Sequence, residues 1–268
     1  MIATDGLRYG SVGDNLMPTV TVRLYEELNE FLPVERRKQP FRVDVPPGST
    51  TKSLIENFGV PHTEIDLVLV NGESADFSRQ LREGDLVSVY PVFESWDITT
   101  VSRVRSPPLR QTRFIADVHL GRLARLLRMT GFDTAWANDL SDEVIVHAAF
   151  AEKRIMLSRD RGLLKRRLVT HGCLIKSLVP REQLAEVFRR FDLAGQLRMF
   201  SRCMSCNTAL TRVSRLSVLD ALPAAVAETC TEFSRCPGCG RIFWRGSHWE
   251  SMKKTAAEVL GRREWLNP

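Results

Sequence analysis

The sequence predicts an α/β protein: a parallel-sheet core, with a small α+β module in front of it and a cysteine-bearing ribbon behind. Three observations carry that prediction. Between residues 113 and 191, short apolar runs alternate with helical patterns, the signature of a parallel sheet. Residues 19–92 read strand, strand, helix, strand, strand, the order of a small sheet crossed by one helix. Two Cys-x-x-Cys pairs, Cys203/Cys206 and Cys236/Cys239, then follow in the last quarter of the chain.

The charge distribution separates the modules. The 268 residues carry a net charge of +6, which divides into −7 over residues 1–100 and +13 over 101–268. A basic domain with an acidic pocket suits a polyanion gripped by arginines and cut with the help of metal ions. No apolar run reaches membrane-spanning length, and residues 1–18 lack the basic start and apolar core of a signal peptide, so a cytoplasmic protein with no membrane partner is expected. There is no GxxxxGK[ST] motif.

Taken in order, residues 1–18 read as a flexible tail. Alternation at Val20, Val22 and Leu24, and at Phe41, Val43 and Val45, predicts two strands. Pro46-Pro47-Gly48 ends the second, and Ser49 or Thr50 is suited to cap a helix whose apolar face is Leu54, Ile55 and Phe58. A strand over 67–70 runs into an Asn71-Gly72 turn, and the last strand of this module covers 86–92. Residues 98–112, with Pro107-Pro108 among arginines, read as a linker. The core then spans 113–200: strand 114–116, a helix with Leu120, Leu123, Ala124 and Leu127 on one face, strand 132–136, and a helix capped by Ser141. Strand 155–157, helix 161–168, strand 174–178 and helix 181–191 complete it, and residues 201–268 form the ribbon and a C-terminal helix.

Two apolar runs deliver an acid at their ends: Asp117 after Phe114-Ile115-Ala116, and Asp160 just beyond Ile155-Met156-Leu157. In an open parallel sheet, loops at the carboxyl ends of strands converge on one crevice. Asp142 opens the helix between them. Three carboxylates from separate elements are what a hard cation such as Mg²⁺ requires. Each acid alone has an ordinary explanation, as a helix cap, a dipole partner or an ion-pair partner of Arg159 or Arg161. Together, their mutual repulsion calls for a cation. Arg122, Arg125 and Arg128 share a helix face, and with Arg159 and the run Lys165-Arg166-Arg167 they are candidates to hold phosphates; the plainer reading is solvent-facing helix charge.

The pattern DVHLGRLARLLRMTGFD, then SDEVI, then RIMLSRDRGL, followed by the cysteine pairs, resembles the Mut-7 C-terminal RNase family over about residues 113–252. That resemblance implies a PIN-like nuclease fold with a zinc ribbon, and a metal-dependent ribonuclease whose Mg²⁺ or Mn²⁺ is bound by Asp117, Asp142 and Asp160. Asp139 is a weaker candidate for a fourth acid. Two such ions about 4 Å apart would activate water and stabilise the leaving oxygen, giving a 5′-phosphate and a 3′-hydroxyl. RNA is the implied partner, with tRNA or another structured RNA as a plausible substrate. The alternative is a non-catalytic RNA-binding adaptor. The family also occurs with a ubiquitin-like domain in front. Residues 19–97, through VPPGST and REGDLVSVYPVF, resemble the ubiquitin-like β-grasp of sulfur carriers such as the small subunit of molybdopterin synthase. Those carriers end in Gly-Gly, which residues 93–97 lack, so a docking module with an unknown protein partner is expected.

Four thiolates in two knuckles make a closed tetrahedral Zn²⁺ site of Cys203, Cys206, Cys236 and Cys239. The 29 or so residues between the pairs must hold a strand pair or a helix. Redox chemistry at one pair is the rival. Cys173 and Cys230 read as buried thiols. His119, beside Asp117, and His248, in WRGSHW, are left outside the catalytic set.

Overall fold

A computed structural model describes residues 17–93, 98, 100–104, 109–259 and 261. All but the last two residues of the expected tail, and residues 99 and 105–108 of the expected linker, fall outside them. In the front module β1 (Thr19–Leu24) pairs antiparallel with β2 (Phe41–Asp44), and α1 (Thr51–Asn57) crosses the sheet. β3 (Ile65–Val70), the two-residue β4 (Glu73–Ser74) and β5 (Leu86–Pro91) complete a sheet of order β2-β1-β5-β3-β4, in which β1 and β5 are parallel. Alternation places Val20, Val22 and Leu24 in its core. The Thr50 side chain accepts from the Ser53 N–H and the Ser53 hydroxyl accepts from the Thr50 N–H, a reciprocal cap that starts α1 after the proline break. Asn71 and Gly72 both take positive φ, at 54° and 86°, the turn that joins right-twisted strands.

The second sheet holds β6 (Arg113–Ala116), β7 (Asp133–Ala135), β8 (Ile155–Ser158) and β9 (Gly172–Leu174), all parallel, in the order β7-β6-β8-β9. Its helices are α2 (Gly121–Met129), α3 (Asp142–Ala151), the short α4 (Arg161–Leu164) and α5 (Pro180–Arg190). Both faces are covered, so the strands are apolar throughout rather than alternating. Phe114, Ala116 and Leu157 face Leu123, Leu127, Leu184 and Val187 of α2 and α5. Ile115 and Met156 face Ile145, Val146 and Ala149 of α3, with Leu163 and Leu164 of α4. The connections reverse direction between β6 and β8, and the carboxyl ends of those two strands frame the crevice.

Two boundaries differ from the sequence reading. The last strand of this sheet is Gly172–Leu174 instead of 174–178, because Ile175 makes the final ladder bond, to the Ser158 carbonyl, and the Lys176 and Ser177 N–H groups turn to the Glu186 carboxylate. The helix expected over 161–168 ends at Leu164, where the chain tightens into turns toward β9.

The ribbon sheet comprises β10 (Thr211–Val213), β11 (Phe233–Arg235) and β12 (Ile242–Trp244), all antiparallel, with α6 (Ala224–Thr229) inserted between β10 and β11. The terminal α7 (Ser247–Val259) buries Ala256 and Ala257. Among the described residues no helix is long and apolar enough to cross a membrane.

The front module docks against β9, the exposed edge of the parallel sheet. The Glu64 carboxylate accepts from the Leu174 N–H at 2.8 Å and pairs with Arg190 at 3.4 Å, while Arg190 also donates to the Thr63 carbonyl. His62 Nε2 lies 2.9 Å from the Val169 carbonyl, and Lys165 Nζ donates to the Glu56 carbonyl at 2.6 Å. Gly172 permits the approach: a Cβ there would meet Thr63 at 3.2 Å and Leu164 at 2.8 Å. Glu64→Ala would leave a strand N–H and a buried guanidinium without their acceptor, a loss on the order of 3–5 kcal/mol. Equilibrium denaturation should show that loss for Glu64→Ala, with Glu64→Gln, which keeps an acceptor for Leu174, losing less.

Candidate active site and metal centre

Asp117 is the first residue beyond β6, and its N–H still bonds to the Leu157 carbonyl of β8. Its side chain is 7% exposed. One carboxylate oxygen accepts from the His119 N–H at 3.3 Å and the other from the Ser158 hydroxyl at 2.7 Å. Among the described residues no basic side chain pairs with it. Ser158, fully buried at the end of β8, accepts in turn from the Asp160 N–H at 2.9 Å. Ser158 thereby links Asp117 to Asp160. The exposed Asp160 side chain caps α4 by accepting from the Gly162 N–H at 2.6 Å. Asp142 is exposed at the start of α3, which Ser141 caps, and lies 3.8 Å from Arg166. Ser158 thus ties the Asp117 side chain to the backbone of Asp160, Asp142 stands beside Arg166, and among the described residues the three carboxylates do not close into a group of ligand atoms as the cysteines do. Asp139 and His119 are exposed, and the side chain of His248 lies outside the described residues.

The cysteines converge without need of a bridging chain. Cys203 and Cys239 sulfurs are 3.6 Å apart, those of Cys206 and Cys236 3.3 Å, and none of the four is in a disulfide. Among the described residues this is the one group of three or more potential ligands whose atoms lie together, within 4.8 Å of one another. The two knuckles repeat one geometry. Asn207 N–H bonds to the Cys203 carbonyl and Gly240 N–H to the Cys236 carbonyl, each at 2.9 Å, with Asn207 and Gly240 both at positive φ. Burial pushes the Cys203 thiol up to about 12, whereas hydrogen bonds from the Thr208 hydroxyl and N–H draw Cys206 down to about 6. An all-sulfur cage of this size fits Zn²⁺, whose binding would displace the remaining protons.

The family model described as the Mut7-C RNAse domain matches residues 112–256, more than half of the chain. The chain belongs to the Mut7-C RNAse domain family. The model described as Mut7-C ubiquitin matches residues 17–97. A search of the curated proteins found no match. Among solved structures, small archaeal modifier protein 1 of Haloferax volcanii is 22% identical, covering 28% of this chain and 99% of its own, with a TM-score of 0.24. A putative molybdopterin converting factor subunit 1 from Pyrococcus furiosus is 20% identical, covering 28% and 99%, with a TM-score of 0.23.

Within the Mut7-C domain the basic residues divide by environment. Arg122, Arg125, Arg159, Arg166 and Arg167 are exposed. Arg128 corrects the expectation of a shared phosphate-binding face. It is 4% exposed, and its guanidinium donates to the carbonyls of Thr134, Ser205, Met204 and Trp136. Burial lowers its pKa, against the pull of Cys203 and Cys206. Arg128 therefore fixes the first knuckle to the end of α2 rather than holding RNA. Lys165, committed to Glu56, is likewise drawn away from solvent.

Sequence reasoning passed over Asp133, which completes this seam. Its carboxylate accepts from Arg154 at 2.6 Å and from the Asn207 side chain at 2.8 Å, with Arg202 at 3.4 Å, while the Thr134 N–H donates to Asn207. Ser158 was also passed over, although a serine closing the apolar run Ile155-Met156-Leu157, two residues before Asp160, was a visible signal.

Burial opposes the charge of Asp133, but the hydrogen bonds of Arg154 and Asn207 outweigh it and hold the carboxyl below its ordinary value. A folded pKa below the unfolded one contributes stability that is complete above the unfolded value and is lost as pH falls through the folded one. Asp133→Asn should therefore cost about 2 kcal/mol at neutral pH. Denaturant melts of the two proteins should converge as the pH drops below 3.8, the ordinary value.

Proposed function

We propose that this chain is a metal-dependent ribonuclease whose active site is the crevice at the ends of β6 and β8. The carrying observation is Asp117, a buried carboxylate that receives only neutral hydrogen bonds. A buried carboxylate without a cation is costly, and a metal ion bound at the crevice would supply the missing charge. Asp117, Asp160 and Asp142 would hold Mg²⁺ or Mn²⁺, with Ser158 bonding the Asp117 carboxylate and the Asp160 backbone. A metal held there would supply a water of lowered pKa and neutralise charge on the phosphate. Hydrolysis would put the water's hydroxyl on phosphorus and break the bond to the 3′-oxygen, which takes up a proton to leave a 3′-hydroxyl beside the 5′-phosphate. Arg159, Arg166 and Arg167, on the segment that carries Asp160, are placed to hold flanking phosphates, with Arg122 and Arg125 on α2 extending the basic surface. Structured RNA, tRNA included, is the substrate class we assign. The four cysteines hold a structural Zn²⁺ that keeps the ribbon seated, and the β-grasp module serves a protein partner.

A second reading has one observation in its favour. Asp117 and Asp160 also act as caps, and Asp142 sits near Arg166, so the acids have structural employment in a non-catalytic RNA-binding adaptor. Incubation of zinc-loaded protein with cellular RNA and Mn²⁺ separates the two. The nuclease should yield 5′-phosphorylated products, and Asp160→Asn and Asp142→Asn should each slow cleavage by ~100-fold or more while RNA binding persists. Binding without cleavage in wild type and both variants would establish the adaptor.

A further inference from the structure

The ribbon presents a second surface whose chemistry suits a different part of an RNA. In its three-stranded sheet Val213, Phe233 and Trp244 stand in register, and all three belong to the small ribbon core with Val218 and Cys230. The row beside it, Arg212, Ser234 and Phe243, faces the other way by strand alternation. That row and its neighbours Val213, Phe233 and Trp244 both contribute to the lining of an 880 Å³ cavity, together with Met199, Phe200, Trp249 and Met252. Phe243 is only partly buried and, among the described residues, has neither a ring partner nor a place in a core cluster. Cations surround the aromatic wall. The Arg245 guanidinium and the Lys253 ammonium lie 5.1 and 5.2 Å from the Trp249 ring centroid, and Arg212 is exposed at the cavity. One acid, Glu232, also lines the cavity and is paired with Arg245 at 3.0 Å.

From these positions we infer that the cavity takes an unpaired nucleobase of a bound RNA, stacked on Phe243, with the adjoining phosphates on Arg212 and Lys253. Charge complementarity commits the cavity to this occupant: a ring without a partner shares the cavity lining with Arg212 and Arg245, the combination that recognises single-stranded nucleic acid. A purely apolar peptide would leave Arg212 and Lys253, which have no ion-pair partner among the described residues, without a counter-charge. The inference rests on the ribonuclease reading only in taking RNA as ligand, and it requires no catalytic metal. The site would hold a single-stranded portion of the substrate on the ribbon, which the Arg128 contacts fix relative to the strand-end crevice.

The test is fluorescence anisotropy of zinc-loaded full-length protein without added Mg²⁺ or Mn²⁺. Three labelled probes are used: a short single-stranded RNA, an abasic strand with the same phosphates, and the corresponding duplex. Phe243→Ala should weaken binding of the single strand about 10-fold and leave the abasic strand and the duplex unchanged, while Phe243→Trp should retain affinity. Phe243→Leu keeps apolar packing without an aromatic face and should show the same selective loss, which covers the case in which the alanine variant fails to fold. Equal losses on base-bearing and abasic strands, or unchanged affinity for all three, would overturn the inference, the latter assigning the cavity to a protein. Base-selective binding by a protein that does not cleave RNA once Mn²⁺ is supplied would defeat the ribonuclease reading and leave this one standing.

Discussion

The hydroxyl of Ser158 on the carboxylate of Asp117, at 2.7 Å, is the contact on which the proposed chemistry depends. Parallel strands β6 and β8 are neighbours although a whole β/α unit separates them in sequence, so their ends meet only because the connection reverses between them. Ser158 ties the Asp117 side chain to the backbone of the neighbouring strand end, since it donates to Asp117 and accepts from the N–H of Asp160. Desolvation makes the arrangement sensitive to charge. The donors found on Asp117 are neutral, and a metal ion at the crevice would supply the opposing charge.

The four-stranded sheet is too small to protect its own edges, and the flanking modules do this with side chains. On the β9 side Glu64 takes up the Leu174 N–H, and Arg190 compensates its charge. On the β7 side Asn207 takes up the Thr134 N–H, and Arg128 donates to the Thr134 carbonyl. Each edge is thus closed by polar groups belonging to another module or to the seam with it, which blocks edge-to-edge pairing. The closure also explains why buried ions recur at both seams: a strand edge offers unpaired N–H and C=O groups, and only polar side chains satisfy them. The β-grasp module consequently docks on the β9 edge and leaves Arg122 and Arg125 of α2 exposed.

What could be read from the sequence was whatever local patterning encodes. Alternation at Val20, Val22 and Leu24, the cap at Thr50, the Asn71-Gly72 turn and the knuckle spacing are short-range features, and each forms as expected. The apolar runs ending near Asp117 and Asp160 likewise form strands of one sheet. What escaped depends on segments far away along the chain. Arg128 shares a helical period with Arg122 and Arg125, so periodicity groups all three, yet only Arg128 meets the knuckle carbonyls about 76 residues later. Glu64 looks like any acid in a turn until β9 arrives 110 residues on. Strand β9 ends early for a similar reason, because Glu186 of a later helix claims the N–H groups of Lys176 and Ser177. Asp142 lay at the start of a helix as expected, but its position near Arg166 was not legible.

The most direct test of a metal site at the strand ends is Mn²⁺ binding, read from the electron paramagnetic resonance signal of the free ion, on protein with its cysteine site already loaded with zinc. Asp117→Asn suits the comparison, because the amide keeps the size of the side chain and an acceptor for Ser158. The account predicts saturable Mn²⁺ binding by the wild type that Mg²⁺ competes away and that Asp117→Asn abolishes. Mn²⁺ bound equally by both proteins, or by neither, would contradict it.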